Sequence, residues 1–284
     1  ASRAQILLIN TCGFIQSAVE EAVDEILQLA KVKAEFPEKK LVVVGCLVQR
    51  YKDQLLAELP EVDLFIGTEG GKDMAEYFEA LLRGRPSARM EIPSSHVPDR
   101  TYPRILTTPH FRSSLKITEG CNNRCAYCMI PAIRGRLRSR STADLVQEAL
   151  ILQDMGVKEL SLIAQDLTAY GTERGKKENL RALLEQLLAA TTIPWLRLMY
   201  LYPIGIDDGL LDIMVEEPRI VPYLDIPIQH VSTSVLAAMN RRYTREDLYS
   251  LVGKIRSRLP AIALRTTLLV GFPGEKEADV LLLE

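Results

Sequence analysis

The run LVVVG (41–45) is apolar at every position up to its glycine, and stretches with helical periodicity lie on either side of it. A strand with one wet face alternates apolar and polar residues, whereas an unbroken apolar run needs cover on both faces. The same unit recurs. QILLIN (5–10) reads as a strand and SAVEEAVDEILQLAKVKAEF (17–36) as a helix with Ala18, Val23, Ile26 and Ala30 on its apolar side. QRYKDQLLAEL (49–59) reads as a helix, VDLFIG (62–67) as a strand and GKDMAEYFEALLRG (71–84) as a helix with a glycine stop. Strands that alternate with helices in this way predict an α/β domain built on a parallel sheet over residues 1–90.

RPSARMEIPSSHVPDRTYPRILTTPHF (85–111) breaks the rhythm with Pro and Ser, and a linker is assigned to 91–111. Alternation then resumes. Strands are expected at 113–118, 159–164, 195–201, 223–228 and 263–270, with helices between them such as ADLVQEALILQDMG (143–156). Strand-helix units repeating about every thirty residues predict part of a β/α barrel over 112–284. The last helix stops at Glu284, so a closing strand is expected to be missing from the chain.

Bulk properties narrow the function. At 284 residues the chain is long enough for two cores. No apolar run approaches the ~18 residues of a membrane span, no signal peptide is visible, and a cytoplasmic protein is expected. A net charge of −2 gives no global attraction to nucleic acid or anionic membrane. Five cysteines in a chain of this size do not read as a disulfide framework.

The cysteines share a topological position. In a parallel array, residues just past the strand ends gather on one rim, where such folds do their chemistry. Cys12 follows the first strand and Cys46 the second, so they should face each other on one edge of the first domain. Taken singly, each could equally be a small buried hydrophobe. In TEGCNNRCAYCMIP (118–131), Cys121, Cys125 and Cys128 follow the first strand of the second domain among polar neighbours, so this is no core segment. Zinc generally takes four ligands, and the whole chain has three histidines. Three thiolates spaced CxxxCxxC suit an iron–sulfur cluster better. A cubane has four irons, so three cysteines leave one iron open to a small chelating molecule.

CxxxCxxC with Tyr127 before its last cysteine resembles the radical S-adenosylmethionine (SAM) superfamily. Together with NTCGFI (10–15), GCLVQRY (45–51), RGRLRSRS (134–141), AQDLTAYG (164–171) and VGFPGE (270–275), it resembles the methylthiotransferases across nearly the whole chain. GCLVQRY, AQDLTAYG, LMYLYP (198–203) and DIPIQH (225–230) look more like the branch that modifies an aspartate of small-subunit ribosomal protein twelve than the branch that modifies a tRNA adenosine. The resemblance implies two [4Fe–4S] clusters. One is held by Cys121, Cys125 and Cys128, whose open iron takes SAM and yields a 5′-deoxyadenosyl radical. The other is an auxiliary cluster that includes Cys12 and Cys46 as ligands. The family uses three cysteines there and carries a C-terminal β domain. The third cysteine and that domain are absent from this sequence, which reads as a chain trimmed at both ends.

The same resemblance places SAM contacts at further strand exits: Tyr127, Gln165 with Asp166, Gln229 with His230, and Gly271. A turn around Pro273 is the equal alternative for Gly271 and Gly274. Asp225 and His230, five apart on an expected strand, should point to opposite faces, and no Ser/His/Asp set stands out, so catalytic side chains are unassigned. Arg134, Arg136, Arg138 and Arg140 alternate; extended, they would form one cationic face for an acidic substrate loop or the SAM carboxylate, with a solvated loop as the alternative. The implied partners are a ribosomal protein or the ribosome and a reductant such as flavodoxin or ferredoxin, with no membrane. A tRNA-modifying enzyme and a non-catalytic metal scaffold are the alternatives.

Overall fold

The computed structural model describes residues 4–68, 73–85, 89–92, 105–107, 109–175 and 178–284. The chain forms two compact units, Ala1–Pro98 with Met129–Gly135, and Asp99–Cys128 with Arg136–Glu284. Most of the linker expected at 91–111, and the first residues of the helix expected at 71–84, lie outside the described residues.

The first unit is a four-stranded parallel sheet in sequence order. Its elements are β1 (Ile6–Thr11), α1 (Gln16–Glu35), β2 (Lys40–Gly45), α2 (Cys46–Tyr51), α3 (Asp53–Glu58), β3 (Leu64–Ile66), α4 (Met74–Leu82) and β4 (Met90–Glu91). The unbroken apolar run of β2 has a direct physical reason. Leu41 and Val43 join Ile26 of α1 in one core, and Val42 and Val44 join Leu81 of α4 in another, on the opposite face. The single helix expected at 49–59 is instead two short helices. Lys52 at φ +45 turns the chain between them, a backbone region that costs an L-residue energy.

The second unit begins with β5 (Arg112–Lys116) and β6 (Thr118–Glu119). The helix that follows, α5 (Ile130–Arg134), belongs to the first unit. Then come β7 (Arg138–Ser139), α6 (Thr142–Asp154), β8 (Glu159–Ile163), α7 (Leu180–Ala190), β9 (Trp195–Leu198), α8 (Asp208–Glu216), β10 (Ile220–Asp225), α9 (Thr233–Ala238), α10 (Arg245–Arg258), β11 (Ala263–Arg265) and α11 (Glu277–Val280). Strands β5, β8, β9, β10 and β11 pair in parallel in that order, the sheet of a partial β/α barrel. The expected alternation of strand and helix is present throughout.

Four helix starts in the second unit are fixed by side chains. Ser141, Asn179 and Asp207 each accept the amide of the third residue on, and Thr244 forms a reciprocal capping box with Asp247. Strand ends fall short of expectation. Tyr200, at φ +62, turns the chain soon after β9, and Pro227 has no amide to extend the ladder past β10.

Leu184 on α7 is fully buried in the core of the second unit. Leu184→Ala is expected to lower stability by about 2–5 kcal/mol, read as an earlier urea midpoint with an unchanged slope.

Candidate metal centre

Parallel pairing brings strand exits together. In the first unit Thr11 is paired with Gly45, so Cys12 and Cys46 leave neighbouring strands at the same level. The loops pack backbone to backbone. A Cβ on Gly13 would come within 2.8 Å of the Cys46 carbonyl oxygen. Arg50 donates to the Gly13 carbonyl at 2.7 Å, and Arg134 Nη2 lies 3.3 Å from Cys46 Sγ. Cys12 is exposed, Cys46 half-buried, and neither is in a disulfide. The edge the sequence anticipated for these two thiols is therefore built, with a cation added that it did not anticipate.

In the second unit Cys121, Cys125 and Cys128 are all half-buried free thiols on the loop after β6. Gly120, at φ +73, makes the turn into that loop. The loop is fastened at several points. The Ala126 amide donates to Met239 O at 2.9 Å, and Asn240 Nδ2 to Arg124 O at 2.6 Å, so the end of α9 carries its middle. Asn123 Nδ2 donates to Asp166 Oδ2 at 2.8 Å, which ties the loop to the exit of β8. Asn122 Oδ1 accepts the Leu137 amide at 3.1 Å.

The thiols have distinct surroundings. Cys121 Sγ accepts the Asn123 amide at 3.4 Å. Burial pushes its thiol up; the Asn123 hydrogen bond opposes that, and the charges of Asp166, Cys128 and Cys125 add to it. Cys125 Sγ lies 3.5 Å from Arg241 Nη1. Burial raises the Tyr127 hydroxyl well above its ordinary value, against the lowering influence of Arg241.

Among the described residues no three His, Cys, Asp or Glu side chains converge tightly enough to hold a single ion. A cubane puts each thiolate on a different iron, so its ligands need not meet at one point. Three free thiols on one fastened loop, close enough to feel one another's charge and supplied with N–H donors, fit such a cluster.

The other anticipated positions fare differently. Gln165 lies at the exit of β8, and its Oε1 is buried with no hydrogen-bond partner among the described residues. Asp166 is occupied by Asn123 and by Thr168, whose amide and hydroxyl reach Oδ1 at 3.1 and 2.6 Å. Gln229 sits at φ +68, with its backbone bonded to Thr267 and Leu269. His230 is fully buried. It accepts the Ser232 amide on Nδ1 at 2.9 Å and meets Glu275 at 3.2 Å through Nε2, so the ring is taken up as a clasp. Gly271 and Gly274 have φ of +78 and +89, and a Cβ on either would meet nothing within 4 Å. The positive φ favours glycine at both.

Two expectations are corrected. Asp225 and His230 do not share a strand, because β10 ends at Asp225; Asp225 Oδ1 is bound by Arg265 at 3.0 Å. The four alternating arginines form no single face. Arg134 ends α5, and Arg140 is buried against Asp144 and Glu148, each at 2.6 Å. Only Arg138 and Ser139 are extended, paired antiparallel with β6. A buried guanidinium is stabilised by carboxylates in reach, and Arg140 has two.

Residues 115–283 match the radical SAM superfamily, and residues 1–67 match the uncharacterized protein family UPF0004. The chain belongs to the radical SAM superfamily, a membership that implies SAM and a [4Fe–4S] cluster. Its relatives are more particular. It is 59% identical over 276 residues to the ribosomal protein uS12 methylthiotransferase RimO of Desulfotalea psychrophila, a match covering 97% of this chain and 62% of that protein. It is 45% identical over 278 residues to the RimO of Syntrophus aciditrophicus, covering 97% of this chain and 61% of that one. The chain thus spans about three fifths of the length of these curated relatives. Among solved structures it is similar in fold to the radical SAM methyltransferase TsrM of Kitasatospora setae, with a TM-score of 0.70 and 17% identity over 97% of this chain and 58% of that one. The cobalamin-dependent SAM radical enzyme OxsB matches with a TM-score of 0.67 and 13% identity, over 94% of this chain and 41% of that one.

Thiolates react and thiols do not, so the raised Cys121 should be slow. In the metal-free, reduced protein at neutral pH, iodoacetamide is expected to label exposed Cys12 before Cys121, with Cys121 gaining as pH rises; peptide mass spectrometry reads both.

Proposed function

We propose that this chain acts as a radical SAM methylthiotransferase that adds a methylthio group to the β-carbon of an aspartate in small-subunit ribosomal protein uS12. The observation that carries the substrate is the 59% identity, over 97% of the chain, to a protein named for that reaction. The observation that carries the chemistry is the fastened loop with its three free thiols.

Cys121, Cys125 and Cys128 would hold a [4Fe–4S] cluster, with one iron left for SAM. When bound, that pair supplies one-electron chemistry able to break an unactivated C–H bond, which no acid–base side chain here can do. The protein's own share is position. The Asn123 amide and Arg241 donate to thiolate sulfurs, and Asp166 holds Asn123 so that the Cys121 end of the loop cannot drift. Gln165 Oε1, buried without a partner among the described residues, is suited to accept an N–H of the SAM ammonium. Gln229, held in a left-handed backbone conformation at the exit of β10, borders the same rim.

Cys12 and Cys46 would supply two ligands of a second cluster. The glycine contact that brings their loops together and the Arg134 hydrogen bond to Cys46 support an anionic sulfur centre there. The partner is the aspartate-bearing loop of uS12, and the electron comes from a low-potential donor of the flavodoxin or ferredoxin kind.

In anaerobically reconstituted protein with dithionite, Cys125→Ala is expected to abolish 5′-deoxyadenosine formation from SAM and to remove about four irons per chain. Undiminished nucleoside would overturn the radical assignment. In cells lacking this protein, the methylthio mass should disappear from a uS12 peptide. Its disappearance from a tRNA nucleoside instead would move the enzyme to the sister branch.

A further inference from the structure

Arg241 is the least expected charge in the second unit. It is 9% exposed. Its Nε donates to Tyr243 Oη at 2.6 Å, Nη2 to the Pro227 carbonyl, and Nη1 to Cys125 Sγ at 3.5 Å. The guanidinium carbon lies 4.6 Å from the Tyr202 ring centroid and 5.1 Å from that of Tyr243. All three acceptors (a phenol, a carbonyl and a thiol) are formally neutral, and among the described residues Arg241 has no carboxylate at ion-pair distance. The contrast with Arg140, buried between two carboxylates, is direct.

Arginine keeps its proton at any ordinary pH, so this charge is fixed. A cation taken out of water without a counter-charge is strongly unfavourable, and hydrogen bonds to neutral acceptors recover only part of that cost. Of its three acceptors, the Cys125 sulfur is the one that belongs to the proposed cluster, and a cluster-bound thiolate there would bring a negative charge within reach of this cation. The cation is also held still. The Tyr243 hydroxyl donates to Ile228 O at 2.9 Å, the two tyrosine rings meet edge-on at 5.6 Å, and the Arg241 amide donates to Leu236 O at 2.8 Å. The turn carrying Arg241 also provides Met239 O and Asn240 Nδ2 to the cysteine loop, so cation and sulfur are positioned by one piece of structure.

We propose that Arg241 is the fixed counter-cation of the Cys125 thiolate, a positioning residue that raises the reduction potential of the cluster held by Cys121, Cys125 and Cys128. The inference rests on the cluster reading above. Reduction adds one electron, taken from a low-potential one-electron donor, and hence one negative charge. A permanent positive charge hydrogen-bonded to a ligand sulfur stabilises that added charge more than the oxidised state. Hydrogen bonds to the sulfurs and net local charge are the terms through which a protein sets such potentials.

The test is an anaerobic redox titration of the reconstituted chain with low-potential viologen dyes, following visible absorbance and the electron paramagnetic resonance signal of the reduced cluster. Arg241→Gln is expected to lower the reduced-to-oxidised ratio at a fixed potential by about tenfold, which is 59 mV for a one-electron couple. Arg241→Lys keeps the charge and should stay within about threefold of the unsubstituted protein, a rescue that a purely structural role would not give. Should the glutamine chain fail to load iron while the lysine chain loads, the requirement for charge is supported by that difference. Tyr243→Phe removes the acceptor of Nε but keeps the charge, so the ratio should fall less than in Arg241→Gln. An unchanged ratio in Arg241→Gln, or a tenfold fall in Arg241→Lys equal to that of the glutamine chain, overturns the inference and leaves the cluster standing. Unsubstituted protein that takes up no iron overturns the cluster reading and this inference with it.

Discussion

Parallel pairing governs what this protein can do. Every paired strand in the two principal sheets runs the same way, so each sheet has one edge where all its strands end and their loops begin. The five cysteines all sit on such exits, and so do Gln165, Gln229 and the left-handed Tyr200. Burial stabilises the pairing: β2 buries alternate residues in two separate cores, and strands of the larger sheet share one core with helix leucines such as Leu145, Leu184 and Leu211. Burying apolar surface at about 25 cal/mol per Å² is what makes a backbone arrangement with so many reactive groups at one edge stable.

Loops at such edges are mobile unless something ties them down, and here polar bonds do so. The cysteine loop is held by Asn123 on Asp166, by Asn122 on Leu137, and by Met239 and Asn240 at the end of α9. Next to it, Arg140 locks the chain between Asp144 and Glu148, and its Nη1 reaches Lys116 O at 3.0 Å, beside the end of β5. Tyr170, fully buried, donates its hydroxyl to Arg140 O at 2.9 Å. Tyrosine and arginine thus do structural work around a loop that carries three thiols.

Local patterns were readable where the physics is local. An unbroken apolar run means a strand covered on both faces, and β2 is one. CxxxCxxC places its three thiols on one short loop whatever the rest of the chain does. The alternating arginines misled for the opposite reason. Their period of two signals a common face only if the chain is extended, and Gly135, at φ +73, separates the end of a helix from the short strand that follows. His230 likewise carried no local sign that its ring would be consumed by Ser232 and Glu275, the latter forty-five residues away.

Amino-acid order by itself determined the class of fold, the place of the cysteines at strand exits, and the superfamily, since periodicity, turn residues and motif spacing are properties of neighbours along the chain. Tertiary structure decided which charges meet which sulfurs. Arg241 is 116 residues from Cys125, and Arg134 is 88 from Cys46. Whether a cation is wasted in solvent or held against a thiol depends on burial and on partners that only packing assembles, and electrostatic energy rises steeply as water is excluded.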